Sequence, residues 1–226
     1  MGELFQDSEF TDACQELDEP QVEEWEYFTE SHGLKIYRQL NKTSGLYQYK
    51  VYGTMTEIDA EICSKVYMDL DYRKTWDSYV HELYEKEVSG KKFIYWDVKF
   101  PKPMSYRDYV YKRELRTFER NGRKVFVILA QSVQDKENFP EKWMTIRVED
   151  YHQTVTITDD PSGGVQVFMR YYDDPKGMIP AWLVNWASKT AVPAFLDQMK
   201  TSCQNYEKYL NTVHFISERL LNVTNS

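Results

Sequence analysis

Apolar residues recur three and four positions apart near the start of the chain. Phe10, Ala13, Cys14 and Leu17 fall on one face of a short helix, with Ser8 as the expected N-cap. Val22, Trp25 and Phe28 repeat that spacing and predict a second short helix. From Gly33 the period drops to two: "LKIYRQL" reads as a strand, "NKTSG" as a turn and "LYQYKVYGTM" as the returning strand. The helical period resumes from about Ala60. Cys63, Val66 and Leu70 share one face, and the next slot on it holds Arg73, whose charge is permanent. Two readings are open for that arginine. Either the helix frays and the stem lies on apolar surface with its head in water, or a fixed cation is aimed at an anion inside. Asp77, four residues on, is spaced to pair with it.

The middle of the chain is a series of strands joined by tight turns. "KKFIYWDVKF" follows Ser89-Gly90, "YRDYVYKRELRTF" follows "PKPM", and Asn121-Gly122 is a strong hairpin signal ahead of "KVFVILAQSV". "WMTIRVEDYHQTVTITD", the turn "DDPSGG" and "VQVFMRYYDD" complete the set, and such short connections imply antiparallel pairing. In the first of these strands Ile94, Trp96, Val98 and Phe100 look inward. In the second, Arg107, Tyr109, Tyr111 and Arg113 share a face, and neither face is cleanly apolar. Met144, Ile146 and Val148 alternate, and Tyr151, Gln153, Val155 and Ile157 follow one position out of step. A bulge at Glu149-Asp150 would keep both sets on one face, with Tyr151 and Gln153 inside. His152 then points to solvent.

After Pro180 the pattern is helical. Val192, Phe195, Leu196, Met199, Cys203, Tyr206 and Leu210 keep helical spacing for several turns, and Pro193 predicts the start of the long helix. The fold class expected is α+β: one domain, an antiparallel sheet with a long amphipathic C-terminal helix laid on it.

Composition alters this picture in three ways. The chain has 226 residues, 42% of them hydrophobic, which is enough for a sizeable core. The aromatic share, 15%, asks for a use beyond packing. A net charge of -8 disfavours a nucleic-acid partner, and "SGKK" and "RNGRK" read as turns. Cys14, Cys63 and Cys203 are too scattered for a metal site, and the four histidines are equally dispersed. No GxSxG elbow, phosphate loop or HExxH pair occurs, and Gly163-Gly164 reads as a turn. No catalytic residue, metal or cofactor is expected. The N-terminus lacks an apolar signal core, Gln6 spoils a myristoylation signal at Gly2, and no apolar run is long enough for a bilayer span. A reduced, cytoplasmic chain is expected, with the sequons at Asn41 and Asn222 unused.

"GLYQYKVYG", "VYMDLDYRKTWD", "YWDVKFPKPMSYRDYVY", "VFMRYYDDPKGMIPAWLVNWA" and "CQNY" resemble the corresponding stretches of START domains, the lipid-transfer family related to steroidogenic acute regulatory protein. The resemblance runs from about Gln21 to Tyr206. It implies the helix-grip fold, a curved sheet gripping the C-terminal helix around an internal lipid cavity, with residues 1–213 as the lipid-binding domain and 214–226 as a helix extension or flexible tail. It implies a monomer that binds one phosphatidylcholine and meets membranes transiently, shuttling lipid between them. The alternative is a carrier or sensor of an ethanolamine lipid, sphingolipid or sterol acting through protein partners. By the same resemblance Arg73 binds the lipid phosphate with Tyr67 beside it, and Trp96, Tyr109 and Tyr151 cage choline. Gln153 meets the glycerol or ester region, and Val98 and Tyr171 complete the lining. Arg170 departs from the family's aromatic residue and alternates to the outer face. Trp182 and Trp186 are candidates for dipping into a membrane interface.

Overall fold

A computed structural model of the chain describes residues 4–224, with side chains through residue 215. Gly2 and the Asn222 side chain, which carried the modification readings, lie outside the described residues. The first helix, α1 (Asp7–Asp18), buries Phe10, Ala13, Cys14 and Leu17 as its spacing requires. Its N-cap is Gln6 rather than Ser8. Gln6 and Glu9 form a reciprocal capping box, in which the Glu9 carboxylate accepts from the Gln6 N–H at 2.8 Å. Two orphan donors are satisfied at once, where a serine cap would serve one. No second helix forms at Val22, Trp25 and Phe28. Phe28 lies in β1 (Glu26–Ser31), which pairs with β2 (Leu34–Leu40) across the His32-Gly33 turn. Pairing with β2 from Glu26 onward draws this stretch into the sheet and sets Phe28 under the Arg38 guanidinium at 4.5 Å.

In β3 (Tyr47–Met55), Gly53 crosses so close to Gly33 that a Cβ there would sit 2.0 Å from the Gly33 carbonyl oxygen. Next come α2 (Ala60–Met68) and α3 (Leu70–Trp76). The apolar stripe of Cys63 and Val66 therefore does not continue to Leu70. Asp69, extended at ψ 99, ends α2 and caps α3 through the Tyr72 N–H at 2.8 Å. Its other oxygen accepts from the Tyr206 hydroxyl at 2.9 Å.

The strand β4 (Val80–Val88) is hidden in the sequence because its apolar alternation is broken by a bulge between Val80 and Glu82. It pairs with β5 (Lys91–Val98), which pairs with β6 (Tyr106–Arg120). The hairpin to β7 (Arg123–Ser132) turns at Asn121 and Gly122, both at positive φ as a type I′ turn requires. "WMTIRVEDYHQTVTITD" holds no bulge. It divides into β8 (Thr145–Val148), which runs parallel to β6, and β9 (Tyr151–Asp159), which lies between β7 and β10 (Val165–Asp173). Ser132 holds the corner, donating to the Glu149 carbonyl at 2.9 Å and accepting from the Tyr151 N–H at 3.0 Å. Val148 and Tyr151 still share one apolar cluster, while Met144 is exposed.

The sheet runs β1-β2-β3-β10-β9-β7-β6-β5-β4, with every pair along that path antiparallel. α1 covers one face, over Val125, Val127, Leu129 and Phe168. α2, α3 and the C-terminal helix cover the other, over Phe126, Ile128, Val155, Ile157 and Val167. The long final helix begins at Val192, beside Pro193 as expected, and a shorter helix leads into it. α4 (Ala181–Trp186) passes through a π turn (Ala187–Ala191) into α5 (Val192–Thr224). The wide turn takes up the lost proline N–H within a continuous helical path. No helix among the described residues is long and apolar enough to cross a membrane.

Candidate functional site

Asp69 starts α3 so that Arg73 turns into the interior, 7% exposed. Its Nε donates to Asp77 Oδ2 at 2.9 Å, and Asp77 Oδ1 accepts from the Tyr79 N–H at 3.0 Å. Burial opposes the guanidinium charge, but Asp77 together with Tyr111 and Tyr67 outweighs it and holds the pKa above the usual value. Among the described residues this Nε bond is the only hydrogen bond the guanidinium makes. The terminal nitrogens remain as a donor fork, the geometry that binds a phosphate or carboxylate. The group lies over the Trp96 ring at 4.7 Å and near Phe195 of α5 at 5.7 Å.

From Trp96 the aromatic contacts run across the sheet. Trp96 and Tyr109 are direct partners in the β5–β6 ladder, with centroids 5.1 Å apart. Tyr109 meets Tyr151 edge-on at 5.4 Å, and Tyr151 meets Tyr171 at 5.8 Å. Val98 packs in the same cluster. Burial raises the pKa of Tyr109, Tyr151 and Tyr171 well above the usual phenol value, so the rings stay neutral. Four aromatic faces with no charge of their own are the setting in which a cation without N–H groups is held. The Trp96 indole N–H is buried without a partner.

At the end of α2, Tyr67 donates to Gln153 Oε1 at 2.5 Å, and Tyr151 donates to the same oxygen at 2.9 Å. The structure thus joins Tyr67, Arg73, Trp96, Val98, Tyr109, Tyr151, Gln153 and Tyr171 into one connected interior group. His152 and Arg170 face the other way, paired with Asp150 and Glu16. An outer-face cleft of about 250 Å³, lined by Phe5, Glu9, His152 and Arg170, lies across the sheet from these rings.

The START domain family model matches residues 8–209. This chain belongs to the START family. It is 48% identical over 206 residues to the phosphatidylcholine transfer protein of Rattus norvegicus and 47% identical to that of Homo sapiens; both matches cover 90% of this chain and 96% of the relative. The crystal structure of human STARD10 superposes with a TM-score of 0.74 at 22% identity, covering 93% of this chain and 84% of the other. The START helix-grip arrangement, a curved antiparallel sheet with a long C-terminal helix, is the fold described above.

Two interior residues of this START domain escaped the sequence reading. Arg113 donates through Nη1 to the Tyr67 carbonyl at 3.0 Å and through Nη2 to the Met68 carbonyl at 2.8 Å. It thereby caps α2 and sets Tyr67. Its place on the Tyr109 face was visible; its target was not. Asp173 Oδ2 accepts from Tyr109 Oη at 2.7 Å and Tyr171 Oη at 3.0 Å. Burial pushes its carboxyl above the usual range, against the two phenol bonds that favour the charged form. The spacing of Tyr171 and Asp173, on one side of a strand, was the available signal.

Proposed function

We propose that this START chain takes one phosphatidylcholine from a membrane, holds it between the sheet and α5, and releases it to another membrane. The observation that carries the reading is the juxtaposition at Trp96, with the Arg73 fork on one side and the tyrosine rings on the other. Phosphocholine has that same order, an anionic phosphate followed by a permanent cation. Arg73 binds the phosphate, with Tyr67 beside it. Trp96, Tyr109, Tyr151 and Tyr171 surround the trimethylammonium group with Val98, and Gln153 meets the ester region. An ethanolamine head fits this set worse, because its N–H donors would lie against ring faces and lose their bonds to water.

Carriage follows from the acyl chains. Roughly thirty methylenes at about 0.8 kcal/mol each oppose escape into water, so exchange requires the protein to open at a membrane surface. Trp182, 43% exposed on α4, is placed to enter such an interface. Trp186 instead packs edge-on against Tyr79, with centroids 5.9 Å apart. The reading is of a carrier rather than an enzyme, acting as a cytoplasmic monomer, with residues 1–213 as the lipid-binding unit and α5 continuing past it to Thr224.

Lipid extraction and mass spectrometry of the purified full chain test this directly, together with transfer of labelled phosphatidylcholine between vesicles. Phosphatidylcholine is expected as the dominant lipid, with transfer above the protein-free rate. Recovery of ceramide, sterol or an ethanolamine lipid as the main species would overturn it.

A further inference from the structure

Resting on that reading, we propose that Asp173 is a built-in counter-ion for the ligand's quaternary ammonium group. The site then opposes a fixed anion to the lipid's cation, as Arg73 opposes a fixed cation to its phosphate.

Asp173 ends β10 directly opposite Tyr151 of β9 in the ladder. Strand alternation puts it on the same side as Tyr171. One of its oxygens, Oδ2, takes hydrogen bonds from two rings of the cage, Tyr109 and Tyr171, at 2.7 and 3.0 Å. Among the described residues Asp173 forms no salt bridge with a lysine, arginine or histidine. The nearby cation is Arg107 on β6; its charge acts on Asp173 through space, but it makes no hydrogen bond to the carboxylate. Its N–H groups donate to the carbonyls of Ser105, Pro175 and Lys176, and its guanidinium lies over Phe100.

The carboxylate is therefore held by phenols alone in a partly buried setting. A charge in that position is unfavourable until a cation joins it. Neutral phenols cannot be that cation, and Arg107 acts on the carboxylate only from a distance, so direct pairing is left to the ligand. A quaternary ammonium seated on Trp96, Tyr109 and Tyr151 meets π faces and, at the hydroxyl end of Tyr109, a negative charge. The rings select for methylation of the nitrogen; Asp173 selects for its charge. The cost of keeping this anion appears in the lipid-free protein, where burial raises the Asp173 carboxyl.

The full chain and its Asp173→Asn variant are incubated with vesicles containing equal phosphatidylcholine and phosphatidylglycerol, a lipid with the same phosphate and no cation. The ratio taken up is read by mass spectrometry. Asparagine still accepts from both phenols but lacks the charge. The ratio is expected to fall about tenfold or more, the effect of one close ion-pair partner, and the lipid-free variant is expected to melt no lower than the native chain. An unchanged ratio overturns the inference. If the asparagine variant does not fold, the double variant Tyr109→Phe, Tyr171→Phe keeps the rings and removes the donors that hold the carboxylate charged. The same fall is then expected, and an unchanged ratio again overturns it. A native chain that shows no preference for phosphatidylcholine sinks the proposed function itself. A native preference retained in the variant sinks only the role of Asp173.

Discussion

Arg73→Met separates two tasks that one guanidinium performs. The side chain of Asp77 is 1% exposed and its Oδ2 depends on Arg73. Removing one partner of a buried pair costs about 3–5 kcal/mol, because the other charge is left without compensation. For a chain of this size that is roughly 6–20 °C in Tm. Methionine fills much of the arginine stem, so little of the loss comes from a cavity. Adding Asp77→Asn removes the stranded charge and keeps an acceptor for the Tyr79 N–H. The double variant should regain stability to within about 1–2 kcal/mol of the native chain. Lipid handling should not recover. Losing charge-assisted bonds to the phosphate costs about 1.5–3 kcal/mol, or roughly 10- to 150-fold in retention of phosphatidylcholine. Thermal denaturation of delipidated protein reads the first effect, and vesicle-to-vesicle transfer reads the second. A well-folded double variant that transfers phosphatidylcholine at the native rate would refute the phosphate role. A single variant with native Tm would refute the buried-pair argument.

Other expectations follow from neighbouring contacts. Trp96→Ala removes both the ring beneath Arg73 and one wall of the cage; with a desolvated cation–π contact worth about 2 kcal/mol, phosphatidylcholine loading should fall roughly 30-fold. Unaltered loading in an equilibrium assay would count against the cage. Arg113→Met strips the Tyr67 and Met68 carbonyls of their donors, so stability should drop by about 1–3 kcal/mol. Hydrogen exchange should then quicken at the end of α2, and exchange confined to β6 would contradict the capping role. Asp173 makes a pH prediction. Its carboxyl is raised above 3.8 in the folded chain, so the folded state holds the proton more tightly than the unfolded one. The group then costs stability progressively as pH rises from about 3.8 and in full above its folded pKa. The Tm advantage of lipid-free Asp173→Asn should therefore grow with rising pH through that window, and a difference that shrinks would show the opposite sign of coupling.

Much of the frame was legible because it rests on local periodicity. The strands from Leu34 to Met55, the Asn121-Gly122 hairpin and the long final helix each carry a pattern that one physical rule explains. The parity change near Asp150 correctly placed Val148 and Tyr151 in one cluster, although the cause was a crossing between two strands and not a bulge. The misses arose where a few residues serve two neighbours at once. Asp69 both ends α2 and starts α3, which no spacing rule separates from a continuous helix. The stretch from Val22 to Phe28 had helical spacing, but pairing with β2 decided its shape. Likewise β4 was obscured by charge and a bulge at a sheet edge.

By itself the sequence determined which faces are apolar and that polar, aromatic and charged residues would share an interior. Side-chain period and the type of each residue are local properties; they place Tyr151 and Gln153 inside, and for Arg73 they left open whether its head turns inward or to water. Only the tertiary structure decided how those groups meet. Arg73 finds Trp96 across 23 residues, Tyr67 finds Gln153 across 86, and Tyr109 finds Asp173 across 64. Such pairings depend on sheet order and on the turn at Asp69, which are set by the packing of the whole chain. For that reason Asp173 could be set beside the proposed cage, opposite in charge to Arg73, only once the strands were in place.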